Sequence, residues 1–472
     1  SFTLSGKGKF KAGDETYKWS GGWLESIDIW SGDKNKTYTT TVTLTGHDWD
    51  VGQLRVTGSN AAMKVKINDN TTGDVYFEQI LLGNDGSLVT LNKAYAHMIH
   101  AYGDGVDDVT LGSAGAGAVR LGQGNDIVTL GAGYVEAVFT GEGDDLVDGV
   151  GESGSINTGK GDDTVSIGSG FAEAISTGDG DDIVIIGAGG AGAINTGSGN
   201  DHVTLSDGGV EAIALSDGDD TVDGGDGWVG VIEAGSGDDT INVNDGNIEL
   251  IRLSDGDNTV NLLGAGWIAA IVAYDGDDTV TITGDAEFTG AIQLGGGTNT
   301  VTTGVGFVNS IVTNGGDDTF SIGSGGVGQI TSWGGNNSVT SSGWIGSILL
   351  SGGNDSVTLN EGGEALSVLL RGGNDNLAVS ELTETTDVCV FNGGTGTDTL
   401  SFDNFTHAVA ISLASSGAVD TGYGIFVITG FENLTGGSAA DTLTGDGNTN
   451  TLTGGLGGDT FVYADSAGTD TI

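Results

Sequence analysis

The residues best equipped for chemistry are short carboxylates held in glycine-rich turns. The last Asp of successive G-x-G-D-D-like turns falls at Asp108, Asp126, Asp145, Asp163, Asp182, Asp201, Asp220 and Asp239, then at Asn258, Asp278, Asn299, Asp318, Asn337, Asp355 and Asp375. The separations run from 18 to 21 residues and are mostly 19. This is oxygen-donor chemistry. Ca2+ takes about six to eight oxygens, and carboxylates plus the backbone carbonyls of tight, Gly-permitted turns supply them without a bulky side-chain cage. Each turn offers half a site and the turn one coil away the other half, so metal binding and folding are expected to be coupled. Asn258, Asn299 and Asn337 each offer one neutral oxygen, so their sites are expected to be weaker or vacant.

Other reactive arrangements are sparse. The histidines are His47, His97, His100, His202 and His407; His97-x-x-His100 has a metal-sharing spacing, but no third ligand or H-E-x-x-H frame accompanies it. No G-x-S-x-G nucleophile elbow occurs, and no glycine turn continues into the G-K-[ST] of a P-loop. Carboxylate pairs recur in nearly every turn, so they carry no information about acid–base catalysis. No catalytic residue is assigned, and the chain reads as a non-enzyme. Cys389 is the single cysteine, which excludes an internal disulfide and leaves metal as the staple.

The elements that position the turns follow from the repeat. After each acidic turn comes a β-branched stretch such as Thr164-Val165-Ser166-Ile167, a second Gly-rich turn such as Gly168-Ser169-Gly170, and another short stretch such as Ala174-Ile175-Ser176-Thr177. Self-similarity at a fixed period signals a solenoid. Strands of four or five residues alternate their side chains, which sends Val165 and Ile167 inward and Thr164 and Ser166 outward. The expected fold is all-β, a right-handed parallel β-solenoid or β-roll with a β-rich N-terminal cap. The expected boundaries are 1–97 for the cap or small domain, 98–380 for coils with one Ca-loaded edge, and 381–472 for a C-terminal roll with an insert. Residues 1–97 stand apart in composition, with ten of the fourteen Lys and Arg and four of the eight Trp: Trp19, Trp23, Trp30 and Trp49.

Charge narrows the partners. Acidic residues outnumber basic ones 65 to 14 and the net charge is −51, a self-repulsion that bound cations would offset. Nucleic acid is excluded as a partner, because phosphate contacts rest on Lys and Arg and only Arg120, Lys160, Arg252 and Arg371 lie beyond position 100. No apolar run has the length of a membrane span. The opening Ser1-Phe-Thr-Leu-Ser-Gly has neither an initiator Met nor a signal-peptide pattern, so the chain reads as a processed or trimmed piece of something longer.

Near the end the period tightens, with Asp441, Asn450 and Asp459 nine residues apart. Gly436-Gly-Ser-Ala-Ala-Asp-Thr-Leu-Thr444, Gly445-Asp-Gly-Asn-Thr-Asn-Thr-Leu-Thr453 and Gly454-Gly-Leu-Gly-Gly-Asp-Thr-Phe-Val462 resemble the G-G-x-G-x-D-x-U-x nonapeptide of the RTX (repeats-in-toxin) family. The resemblance extends over roughly residues 100–472, including Gly141-Glu-Gly-Asp-Asp145-Leu-Val147 and the lead-in Phe431-Glu-Asn-Leu434. It implies a parallel β-roll with multiple Ca2+ ions between turns, to which Asp398, Asp441 and Asp459 would contribute with the central aspartates. It also implies type I export to the outside of a Gram-negative bacterium. The function expected on that footing is a structural or adhesive cell-surface protein, part of a surface layer or extracellular filament. Its partners would be calcium ions, with self-association or cell-surface polysaccharide beside them. Two alternatives stay open: the accessory region of a secreted enzyme whose catalytic domain lies elsewhere, and a carbohydrate-binding adhesin. The sequence departs from the family at the second turn of the central coils, as in Gly131-Ala-Gly133 and Gly187-Ala-Gly189, where the motif Asp is missing. One loaded edge and one dry edge are therefore expected.

Tyr134, Phe171, Trp228, Trp267, Phe288, Phe307 and Trp344 recur just after the second turn. Inward, they would fill the edge widened by the extra residue of each coil. Outward, they would form a stripe for sugars or another chain. The inward placement is expected.

Overall fold

A computed structural model describes residues 4–6, 9–12, 15–18, 23–31, 38–44, 49–58, 63–69, 75–83, 86–284, 288–382, 387–415, 417–463 and 468–472. Within 1–49, 56–74 and 285–289 it describes strand backbone alone. His47 and Trp19 lie outside the described residues, as do the side chains of Trp23, Trp30, Trp49 and Phe288. The described structure is all-β, a β-solenoid of stacked parallel strands. The chain divides into two compact units, Ser1–Gly235 and Ser236–Ile472.

In the first unit each coil gives one strand to each of two parallel sheets. The short strand alternates as expected: in Thr164–Ile167 the side chains of Val165 and Ile167 are buried while Thr164 and Ser166 are not. Equivalent residues stack in register, as in Val128↔Val147, Val147↔Val165, Val165↔Val184 and Val184↔Val203. The facing sheet stacks Ile156, Ile175, Ile194 and Ile213 likewise. Each such burial is worth about 1.5–3 kcal/mol, but a coil has few of them, so a coil holds its shape only against its neighbours. The second strand is longer than expected. Ala172–Asp179 runs eight residues because it continues through Gly178 and Asp179 into the acidic turn, where both still pair with Gly197 and Ser198.

The parallel pairing runs unbroken from Trp23–Ser31 through Trp49–Gly58, Val75–Leu81 and Ala94–His100 to Ala116–Arg120. Residues before 97 thus supply coils to the same stack. Among the described residues there, the antiparallel pairs are Leu4–Gly6 on Trp23–Ser31 and the hairpin of Lys9–Ala12 with Glu15–Lys18.

The second unit repeats the two-sheet pattern through Ser356–Leu359, Asn376–Ala378 and Thr399–Ser401. The next strand of that sheet is Asn433–Thr435, reached across an insert. Phe391, Phe402, Phe405 and Phe426 fill the space beneath it, with ring centroids 5.1–5.8 Å apart. From there strands nine residues apart alternate between two sheets. Asn433–Thr435 pairs with Thr451–Thr453, and Thr442–Thr444 with Thr460–Val462.

Candidate metal centre

The acidic turns bring one aspartate per coil into a buried column. In the first unit each backbone N–H of the column donates to Oδ1 of the aspartate one coil later. Asp107 donates to Asp126, and Asp126 to Asp145, at 2.7 Å. The steps from Asp145 to Asp163 and Asp163 to Asp182 are 2.8 Å, that from Asp182 to Asp201 is 2.9 Å, and that from Asp201 to Asp220 is 2.7 Å. Asp126, Asp163, Asp182 and Asp201 are each only 1% exposed. The preceding residue of each turn forms a second, exposed ladder that runs the other way. Asp162 N–H donates back to Asp144 Oδ1 at 3.1 Å, Asp181 to Asp162 at 3.0 Å, and Asn200 to Asp181 at 2.7 Å. A third ladder joins Thr140, Thr158 and Thr177 to the carbonyl of the threonine one coil on.

Glycine makes this turn possible. Gly178 and Gly180 have φ of +115° and +137°, and a Cβ at either would lie 1.9–2.0 Å from the carbonyl oxygen of Gly159 or Gly161. Only a residue without a side chain permits that approach.

One oxygen of each inner carboxylate is left over. Oδ2 of Asp126, Asp145, Asp163, Asp182 and Asp201 is buried and has no hydrogen-bond partner. An uncompensated buried carboxylate is costly unless it takes a proton or a cation. Burial pushes Asp126 up to about 8, with the neighbouring Asp107 and Asp145 adding to the rise. It likewise pushes Asp182 up to about 7 and Asp145 and Asp163 to about 6. Among the described residues no three His, Cys, Asp or Glu side chains converge on one point. A cation in the column would take one carboxylate per coil and complete its shell from turn carbonyls, a donor set suited to Ca2+.

In the second unit the column continues from Asp239 to Asp398, with asparagine in alternate places as far as Asp355. Asp239 N–H donates to Asn258 Oδ1 at 3.0 Å, Asp278 to Asn299 at 3.1 Å, and Asp318 to Asn337 at 3.1 Å. Each asparagine Oδ1 therefore does what an aspartate Oδ1 does. Its Nδ2 takes the place of the leftover oxygen. Asn258 Nδ2 donates to Gly256 O at 2.9 Å and to Asp278 Oδ1 at 3.1 Å. Asn299 Nδ2 reaches Gly297 O and, at 3.0 Å, Asp318 Oδ1. Asn337 Nδ2 reaches Gly335 O and, at 3.0 Å, Asp355 Oδ1. The reverse amide orientation would set oxygen against carbonyl and carboxylate and NH2 against an N–H, so the partners fix it. By equivalence of register, the unmet oxygens of the aspartate coils face the same turn carbonyls.

Most of the aspartates named from sequence sit in this column; Asp108 does not. Asp107 fills its place, 1% exposed, while Asp108 begins the strand Asp108–Thr110 and pairs with Ile127. The reason is parity: Val109 is the inward residue stacked on Val128, and the column residue always lies two before it. Asp355, Asp375 and Asp398 complete the column, Asp375 and Asp355 pushed up by burial to about 6. Sequence reading missed Glu432, whose Oε2 accepts the Asp398 N–H at 2.9 Å across the insert. Asp441 and Asp459 form a separate pair, Asp441 N–H to Asp459 Oδ1 at 2.9 Å, and Asp441 Oδ2 already accepts the Gly437 N–H.

The second turn differs. Asp207 and Asp226 there are exposed. The aromatic stripe faces outward, against expectation: Tyr134, Phe171, Trp228 and Trp344 are 40–46% exposed. The adjacent Val135, Ala172, Val229 and Ile345 are the inward residues, and alternation sends their neighbours out. Glycines make room for the rings: a Cβ at Gly154 would lie 2.9 Å from Tyr134 Oη, and one at Gly230 would lie 3.1 Å from Trp228 Cη2. His202 pairs with Asp223 at 2.8 Å, and Cys389 is buried, its thiol pushed up to about 12. No helix among the described residues is long and apolar enough to cross a membrane.

No family model and no curated protein matches the sequence.

Proposed function

We propose that this chain is a calcium-binding structural or adhesive protein of the RTX type, working outside a bacterial cell with Ca2+ as its folding staple. The observation that carries the reading is the run of buried aspartates whose second carboxylate oxygen has no hydrogen-bond partner. Asp126, Asp145, Asp163, Asp182 and Asp201 would hold the ions, with carbonyls of the glycine turns completing the shell. The charge of −51 adds a general need for counter-ions. Weak stacked sites would stay empty at low cytosolic calcium and fill outside, which suits a chain exported unfolded. No constellation among the described residues suggests a reaction, so a scaffolding role is the simpler assignment. Equilibrium dialysis against 45Ca at pH 7.5 tests it: several ions per chain are expected, and none bound at millimolar Ca2+ overturns the reading.

A second reading rests on the outward rings. Tyr134, Phe171 and Trp228 are part-exposed aromatic side chains, of a kind that can stack on sugars. Glycan-array binding that is lost in Trp228→Ala and Trp344→Ala would favour a carbohydrate-binding adhesin; binding unchanged by both would remove it.

A further inference from the structure

The three asparagines of the second unit sit in the column at every other coil: Asp239, Asn258, Asp278, Asn299, Asp318, Asn337, Asp355. Each donates from Nδ2 both to a carbonyl of its own turn and to the carboxylate of the next coil. That is the bridging position between turn carbonyls and carboxylate where a cation would sit in an aspartate coil. Resting on the calcium reading above, we infer that Asn258, Asn299 and Asn337 are built-in substitutes for calcium, so that the column from Asp239 to Asp355 is held without metal. The ions are then concentrated in the first unit.

Four features support this. No two carboxylates are adjacent in the column between Asp239 and Asp355, whereas all six steps from Asp107 to Asp220 join aspartate to aspartate. Asp318 has both oxygens satisfied, Oδ1 by Asn299 and Oδ2 by the Ser332 hydroxyl at 3.0 Å. Asp278 and Asp355 each keep one oxygen without a donor, as the first-unit aspartates do, but Asp278 has a neutral column neighbour on both sides and Asp355 on one. Beyond the last asparagine the aspartate-to-aspartate steps return, from Asp355 to Asp375 and on to Asp398. An amide NH2 supplies two N–H donors that stay bonded whatever the calcium concentration.

Hydrogen exchange by mass spectrometry on the full chain, in 5 mM Ca2+ and in EGTA, tests the assignment. EGTA is expected to lower protection of peptides from 126–205 at least tenfold and of peptides from 258–341 less than twofold. Equal losses in both segments overturn it. In Asp145→Asn/Asp182→Asn, which copies the alternation into the first unit, 126–205 should keep its protection in EGTA while bound calcium falls. Loss of protection even in Ca2+ overturns the substitution. In Asn258→Asp/Asn299→Asp/Asn337→Asp, 258–341 should become EGTA-sensitive and bound calcium should rise; protection unchanged in EGTA overturns the staple. A wild-type chain that binds no calcium, with 126–205 indifferent to EGTA, overturns the calcium reading, and the triple variant still decides the staple.

Discussion

The aspartate column of the first unit and the mixed column of the second do the same geometric job with different charge. Both tie each coil to the next by an amide-to-side-chain bond of 2.7–3.2 Å. In the first the side chain carries a spare buried oxygen at every coil; in the second an NH2 group takes that place at every other coil. Replacing one oxygen by one nitrogen converts an acceptor facing acceptors into a donor facing acceptors. The column is thus a hydrogen-bond rail in both units, and the number of buried oxygens left without a donor is set one residue at a time.

The harshest way to break the comparison is to remove calcium at pH 8. Circular dichroism is expected to lose a large part of its β-sheet signal in excess EGTA and recover it on adding Ca2+; a calcium-indifferent spectrum would mean that both columns are self-sufficient. Acidity should then soften the loss. Burial holds Asp126 at about 8 and Asp182 at about 7, far above the carboxylates of an unfolded chain near 4. The metal-free folded column therefore binds protons that the unfolded chain has released, so stability falls as pH rises from about 4 to 8. In EGTA the urea midpoint should be higher at pH 5 than at pH 8, and a flat profile would show that the column carboxylates are not buried as described.

Removing carboxylates locally should sharpen the picture further. In Ca2+, Asp163→Ala/Asp182→Ala deletes two charge-assisted bonds of about 1.5–3 kcal/mol each, together with the two carboxylates proposed to hold ions. Fewer ions and a lower urea midpoint are expected. Asp207→Ala/Asp226→Ala at the second turn should leave both nearly unchanged; equal effects would refute the one-edge arrangement. The smallest contrast lies in the glycines. Gly180→Ala in the first unit forces a side chain into a positive φ and onto Gly161 O, at about 1–3 kcal/mol or more. Gly315→Ala in the second meets nothing within 4 Å and should be neutral or stabilising by about 0.4–1 kcal/mol. Thermal melts in Ca2+ would rank the two.

Much of this was legible in the repeat. The period placed Asp126 through Asp220 in one column, and the alternation of Thr164-Val165-Ser166-Ile167 placed the core. What escaped was parity and direction. Asp107 and Asp108 are both turn-like acids, and only counting two back from the inward Val109 separates them. The same parity turns Tyr134 outward, because Val135 beside it must point in. Glu432 was hidden because the insert breaks the spacing, and a longer side chain makes up the reach. For Asn258, Asn299 and Asn337 the letter alone shows a lost charge. That the amide donates to both a carbonyl and a carboxylate depends on which atom the preceding N–H claims.

The paired ladders have a further consequence. Each coil gives one backbone bond forward through its inner residue and receives one from the coil ahead through its outer residue, as Asp163 and Asp162 do with Asp182 and Asp181. Every coil boundary from Asn125 and Asp126 to Asp219 and Asp220 presents the same give-and-take. Excising the nineteen residues 164–182 would set the Asp163 amide against the Asp201 carboxylate with both ladders intact. A gene encoding such coils can lengthen or shorten by whole repeats through recombination without inventing a new junction, so the stack within the first unit is adjustable in steps of one strand spacing, about 4.8 Å.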